Sequence, residues 1–253
     1  MTTEKSKPRA LAVNAVQGTL RRMGYELQPY DRGIPVQPRD DDFRRVKLMA
    51  SRGITVVLDV GANIGQFALR TRAAGYEGRI VSFEPMSAAF AELSERAGPD
   101  PAWDCRREAL GSSTERSRIN ISQNSYSSSL LPIEDRHVGS APGSAYVGAE
   151  EISVVPLDSI WDEVVASSDR PFLKLDVQGF ELVALLGAER SLAGLAGVET
   201  ELSLVPLYEG APGYRDVIDH LERAGFRLAG LEPNFFDPET AELLQADAIF
   251  VRD

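Results

Sequence analysis

The strongest constraint on this chain is one apolar run, Ile54-Thr-Val-Val-Leu-Asp-Val60, which passes directly into a turn bracketed by glycines, Asp59-Val-Gly61-Ala-Asn63-Ile-Gly65. So many β-branched residues in a row predict a strand buried on both faces, as in a parallel sheet covered by helices. Glycines at the end of such a strand let the backbone turn sharply and approach a ligand closely. The helix behind the turn presents unpaired backbone N–H groups.

The same rhythm repeats downstream. A helix is expected over Gln66–Ala74, a strand over Arg79–Phe83, a helix over Ser87–Ala97 and a short strand over Ala102–Arg107. After a polar, serine-rich insertion at residues 112–150, with a short strand near Arg118–Ile121, order resumes at Ile152–Val155 and a helix at Leu157–Val165. Phe172–Val177 is a second buried strand, Glu181–Ala193 a helix and Val198–Leu204 a third strand. A helix over Tyr214–Ala224 and strands at Phe226–Leu231 and Ala248–Val251 finish the chain. Regular strand–helix alternation argues an α/β fold with crossover helices. Upstream, Ala10–Met23 reads as a helix, residues 25–40 as a proline-rich loop, and Asp40, Asp41 and Asp42 as N-caps for a helix from Phe43 to Ser51. Residues 1–50 are read as a helical extension and 51–253 as the main domain.

Composition narrows the function. With 27 Lys plus Arg against 38 Asp plus Glu the net charge is −11, which repels a nucleic-acid backbone on average. No apolar stretch approaches the ~20 residues that span a bilayer, and no signal-peptide core follows the polar first nine residues. A cytoplasmic protein is the expectation. Cys105 is the only cysteine, so an internal disulfide and a Cys-based zinc site are both excluded.

Candidate site residues sit at strand ends. The Asp59–Gly65 turn lacks the G-x-G-x-x-G spacing of a pyrophosphate cradle, and Asp59 suits a ligand with an amino or sulfonium group. Glu84, in Phe83-Glu84-Pro85, lies 25 residues after Asp59, where nucleotide-binding α/β folds place an acid for both ribose hydroxyls. Lys174 and Asp176 are polar positions, two residues apart on one face of an apolar strand, and Glu201 lies inside another. Asp176 and Glu201 can face one cleft, as oxygen ligands for Mg²⁺ or with one of them as a base; the sequence does not choose. Glu181 is as readily a helix-start acid as a site residue, and His137 is an isolated histidine in the insertion.

In this order, Asp59–Gly65, Ser82-Phe-Glu-Pro85 and Leu173-Lys-Leu-Asp-Val-Gln-Gly-Phe-Glu181 resemble the FkbM family of S-adenosylmethionine-dependent O-methyltransferases. Further matching segments are Ala109-Leu-Gly111, Ser127-Ser-Ser-Leu130, Glu201–Gly210 and Asp247-Ala-Ile-Phe250, so the resemblance covers roughly residues 50–253. It implies a class I methyltransferase sheet of seven strands in the order 3-2-1-4-5-7-6, strand 7 antiparallel. It also implies S-adenosylmethionine against Asp59, Gly61, Asn63, Gly65, Glu84 and Pro85, adenine flanked by Glu108 and Ala109, and Asp176 close to the methyl group. Lys174, Asp176 and Glu201 become the catalytic candidates, and Asn124, Ser128 and Ser129 the substrate loop. The implied acceptor is a small molecule with a hydroxyl, such as a sugar, glycolipid or polyketide-type product. A dinucleotide-dependent oxidoreductase and a non-catalytic module on the same fold are the alternatives. Whether the chain forms a homo-oligomer is open.

Overall fold

The computed structural model describes residues 37–252; the expected helix at Ala10–Met23 lies outside them. Within the compact unit that begins at Gln37, seven strands form the main sheet: β1 (Val56–Val60), β2 (Arg79–Phe83), β3 (Trp103–Arg106), β7 (Pro171–Leu175), β8 (Gly197–Ser203), β9 (Arg227–Phe236) and β10 (Leu243–Val251). Their order is β3-β2-β1-β7-β8-β10-β9, with β10 antiparallel to both neighbours and the other paired strands parallel. Setting aside the three strands of the insertion, this is the expected 3-2-1-4-5-7-6 order with the last strand reversed.

Every residue of β1 and β7 is buried, and alternate side chains feed two cores. Leu58, Val60, Leu173 and Leu175 pack against α5 (Leu157–Val164), α6 (Glu181–Leu186) and α7 (Tyr214–Arg223). Val57 and Phe172 pack on the opposite face against α1 (Asp40–Ser51), α2 (Gln66–Ala73) and α3 (Ser87–Ala97). The continuous apolar pattern of these strands follows from this double coverage.

Several expectations are corrected. Helix α1 starts at Asp40 and belongs to the main unit, not to an extension. Arg39 is its N-cap, and Asp42 turns inward, accepting the Arg39 N–H at 2.9 Å. The expected helix Glu181–Ala193 stops at Leu186, with Gly187 as its C-cap lying against the Gly111 carbonyl, where a Cβ would come within 1.9 Å; a short 3₁₀ turn follows at Ser191–Gly194. The insertion is ordered. β4 (Ala109–Leu110), β5 (Glu115–Ser122) and β6 (Tyr146–Val155) form a second sheet in the order β4-β6-β5, and a short α4 (Asp135–Ser140) lies between the last two. Its apolar residues Ile119, Ile152 and Val154 pack on Met86, Ala89 and Ala109. Serines elsewhere in the segment had masked this alternation.

Candidate active site

The site lies over the carboxyl ends of β1, β2, β7 and β8, the edge at which open α/β sheets bind ligands. Parallel register lines up Ser82, Asp59, Lys174 and Glu199 in one row across four strands. All four are buried. Asp59 accepts the Ser82 hydroxyl at 3.1 Å and pairs with Lys174 Nζ at 3.2 Å. Lys174 also donates to the Val60 and Gly61 carbonyls at 3.4 Å and approaches Asp176 at 3.7 Å. Against its burial, Asp59 and Asp176 hold Lys174 above its ordinary pKa, so it is a fixed cation. Asp59 is fully buried and lines neither of the two cavities described below; it braces the turn from beneath. Lys174 ties that turn to β7.

The turn requires its glycines. Gly61 has φ 74° and Gly65 φ 88°. A Cβ on Gly61 would lie 1.9 Å from the Asp176 carbonyl oxygen. The same turn holds Asn63 at φ 48°, where its N–H donates to Glu84 Oε2 at 2.9 Å. Glu84 Oε1 accepts the Met86 N–H at 2.8 Å. Burial raises Glu84 to about 7, against these backbone donors.

Two cavities meet here. The smaller is lined by Gly61, Asn63, Glu84, Pro85, Glu108, Ala109, Ser128 and Ser129 and roofed by Ile119 and Leu130 of the insertion. The larger is lined by charged and amide side chains from α1, α2, β7, β8 and β10 and by Asn124 and His137 of the insertion. Asn63, Tyr126, Asp176 and Gln178 line both, so they form the passage between them.

Asp176 is the exposed acid of the passage, with 41% of its side chain accessible. Gln178 bridges it to Glu201, its amide donating to Asp176 Oδ1 at 2.6 Å and Glu201 Oε2 at 3.1 Å, while its carbonyl accepts the Tyr208 hydroxyl at 2.6 Å. Gln178 adopts φ 54°, a strained backbone for a residue with a side chain. Glu201 also accepts amide N–H groups from Gln245 at 2.6 Å and Asn234 at 3.4 Å. Burial, then Asp176, Asp247 and Glu181, push Glu201 well above the usual carboxylate range. Burial, with Glu199 and Asp176, also raises Asp247 to about 7. An acid surrounded by amide donors has its lone pairs committed to hydrogen bonds. Among the described residues, no group of three or more His, Cys, Asp and Glu is arranged for a metal, so Mg²⁺ on Asp176 and Glu201 finds no support in this geometry.

The remaining expected residues divide. Ser128 and Ser129 spend their hydroxyls on the Ser125 and Gln178 carbonyls, and Asn124 caps the loop at Ser127. They shape the loop, and the two serines lie on the smaller cavity rather than in the acceptor space. Glu108 is engaged by Arg106 at 2.9 Å. Glu181 accepts the Val177 and Gly179 N–H groups and braces the passage from behind. Sequence reasoning missed Arg45, Glu199, Gln178 and Gln245. The acid pair Glu199 and Glu201 inside one strand was a readable signal; Arg45 had none, because its partner is 154 residues away. His137 is buried against Tyr208 and Phe235 in the larger cavity, and burial lowers it to about 4.

These shifts set a pH dependence. Glu84 and Glu181 rise from 4.5 to about 7 and Asp247 from 3.8 to about 7. The folded state therefore holds more protons than the unfolded chain across that window, and stability falls as pH rises through it. His137, depressed from 6.5 to about 4, and His220, also lowered chiefly by burial, work in the opposite sense. The melting temperature of the ligand-free protein is expected to fall between pH 5 and pH 8, by about 2–4 °C for each kcal/mol lost. A flat or rising profile would show that these acids are ionised in the folded state.

The methyltransferase FkbM domain profile matches residues 59–228, which contain the glycine turn, Glu84, Asp176 and Glu201. This chain belongs to the FkbM methyltransferase family. The match includes Asp176, Glu199 and Glu201 of the larger cavity, and it stops short of β10, which carries Asp247 and Gln245. No curated protein matches the chain in sequence. Among solved structures, it is similar to magnesium protoporphyrin IX methyltransferase (ChlM) from Synechocystis PCC 6803 with bound SAM, at 11% identity over 100% of both chains and a TM-score of 0.47. It is also similar to cofactor-bound Rv0187 from MTB, at 12% identity over 99% of this chain and 92% of that one, TM-score 0.47. A putative O-methyltransferase from Klebsiella pneumoniae matches at 10% identity, 99% and 92% coverage and TM-score 0.47. Among the described residues of this FkbM domain protein, no helix is long and apolar enough to cross a membrane.

Proposed function

We propose that this FkbM-family methyltransferase moves a methyl group from S-adenosylmethionine to a hydroxyl oxygen of a small polar acceptor, such as a sugar, a glycolipid or a polyketide-type product. The observation that carries this reading is the meeting of two cavities at Asp176. The residues of the smaller cavity fit the donor. Asn63 Oδ1 is buried there without a hydrogen-bond partner, an acceptor suited to an ammonium or hydroxyl donor. Glu84 keeps lone pairs beyond its two backbone contacts for ribose hydroxyls.

S-adenosylmethionine supplies an electrophilic methyl on sulfur. The protein's part is to align a hydroxyl and remove its proton. Asp176 takes that proton: it is the accessible carboxylate of the passage, whereas Glu201, raised and hydrogen-bonded on both oxygens, is poorly disposed to act as a base. Lys174 approaches Oδ2 of Asp176 and Gln178 holds Oδ1, as positioning residues.

Calorimetry with S-adenosylmethionine tests the reading, with NAD as the competing ligand. The methyl donor is expected to bind, and Glu84→Ala to weaken it by about 10–100-fold, because water replaces part of the charge-assisted hydrogen bonds to ribose that are lost, each worth ~1.5–3 kcal/mol. Tight NAD binding without a response to the methyl donor would sink the proposal. Unchanged donor affinity in a folded Glu84→Ala protein would leave Glu84 only a turn brace.

A further inference from the structure

The larger cavity also presents a group of cationic and amide donors, alongside the acids Asp176, Glu199, Glu201 and Asp247 that line it. Arg45 of α1 and Arg70 of α2 share one buried carboxylate: Asp42 lies 2.6 Å from Arg45 Nη1 and 3.3 Å from Arg70 Nε. Asp42 is fully buried and lines no part of the cavity, whereas both arginines do. Arg45 is held further by Glu199 at 2.6 Å and lies over the Phe67 ring at 4.8 Å. Its guanidinium is therefore immobilised before any ligand arrives, with Nη2 making no hydrogen bond among the described residues. Arg70 uses only Nε on Asp42, which leaves its two terminal nitrogens for the cavity. Gln66, one turn before Arg70 on the same helix face, also lines the cavity, and its Nε2 is buried without a partner.

These groups are all donors, and two are planar forks. A buried amide N–H without a partner is disfavoured, so its natural complement is an acceptor atom brought by a ligand. Guanidinium forks match the paired oxygens of a carboxylate or phosphoryl group, where an ammonium would serve only as a point charge. We infer that Arg45, Arg70 and Gln66 form an oxyanion subsite, and that the acceptor is a hydroxy compound carrying a carboxylate or phosphoryl group. This rests on the methyl-transfer reading above, because the subsite orients the acceptor with its hydroxyl toward Asp176. The chain's net charge of −11 does not oppose it, since close donors outweigh distant, screened charges.

The test is calorimetry on the full chain saturated with S-adenosylhomocysteine, with inorganic phosphate and acetate as probes. Both wild type and Arg70→Gln are titrated; Arg70 is partly exposed, so its loss spares the buried Asp42–Arg45–Glu199 cluster. Binding of either probe to wild type, weakened about tenfold or more in Arg70→Gln, supports the subsite. Phosphate alone assigns a phosphoryl acceptor, and acetate alone a carboxylate. Arg45→Lys, which keeps the charge and loses the fork, is expected to weaken binding as well. No binding of either probe to wild type, or equal binding to Arg70→Gln, overturns the inference and leaves the methyl-transfer reading intact. Failure of S-adenosylhomocysteine itself to bind overturns that reading, and this one with it.

Discussion

Asp176→Asn is expected to leave the protein folded and its affinity for the methyl donor unchanged, while turnover falls by about 10²–10⁴-fold, the usual worth of a general base. Asparagine keeps the side chain's shape and its contact with Gln178, with the amide turned to suit. It loses the negative charge beside Lys174, 3.7 Å away, and the ability to accept a proton. The loss belongs in turnover rather than in donor binding, because an acceptor hydroxyl that keeps its proton is a poor nucleophile. Lys174 retains Asp59 as its partner at 3.2 Å, so the variant leaves no buried cation unpaired. The measurement is single-turnover methyl transfer to an acceptor found by screening with labelled donor, together with a melting curve. Full turnover in a folded Asp176→Asn protein would make the carboxylate structural and direct attention to His137, the buried imidazole of the same cavity.

Gly61→Ala is expected to act on fold and site together. At φ 74° an alanine is strained, and here its Cβ would meet the Asp176 carbonyl oxygen at 1.9 Å and carbon at 2.9 Å. Both contacts are backbone, so relief requires the chain to separate just past the last β1–β7 pair, Val60 and Leu175. A loss of about 3 kcal/mol or more follows, lowering the melting temperature by roughly 6–12 °C, and donor binding is lost with the turn. Gly75→Ala is the control. Gly75 has φ 101° but open space around it, so only the conformational strain is felt, about 1–2 kcal/mol. Equal destabilisation in the two variants would show that left-handed strain, and not the close approach to Asp176, makes Gly61 necessary.

The class of the fold was legible because it depends on short-range pattern. A strand buried on both faces must be apolar at every position, and β1 and β7 are, except where their polar residues form the row beneath the turn. Glu84 was legible for a similar reason: a carboxylate directly after an apolar strand has few structural uses. The acids of β8 were half legible. Glu201 stood out in an apolar stretch, but nothing local distinguishes it from Glu199, which answers Arg45 instead of the passage.

The sequence by itself determined the α/β alternation, the glycine turn and which strand ends carry acids, because each is written in neighbouring residues. Only the tertiary structure decided what those acids do. Parallel register put Asp59 under the turn, paired with Lys174 and Ser82, and away from the cavity that its position in the motif suggests. It brought Arg45, from a helix read as an extension, onto Glu199, and joined it to Arg70 through their shared partner Asp42. It also turned a serine-rich stretch into a sheet that roofs the smaller cavity. Pairings between residues scores of positions apart leave no local trace, since each partner's sequence neighbourhood is satisfied by its own strand or helix. Burial, which separates an accessible Asp176 from a raised Glu201, exists only once the chain has closed around them.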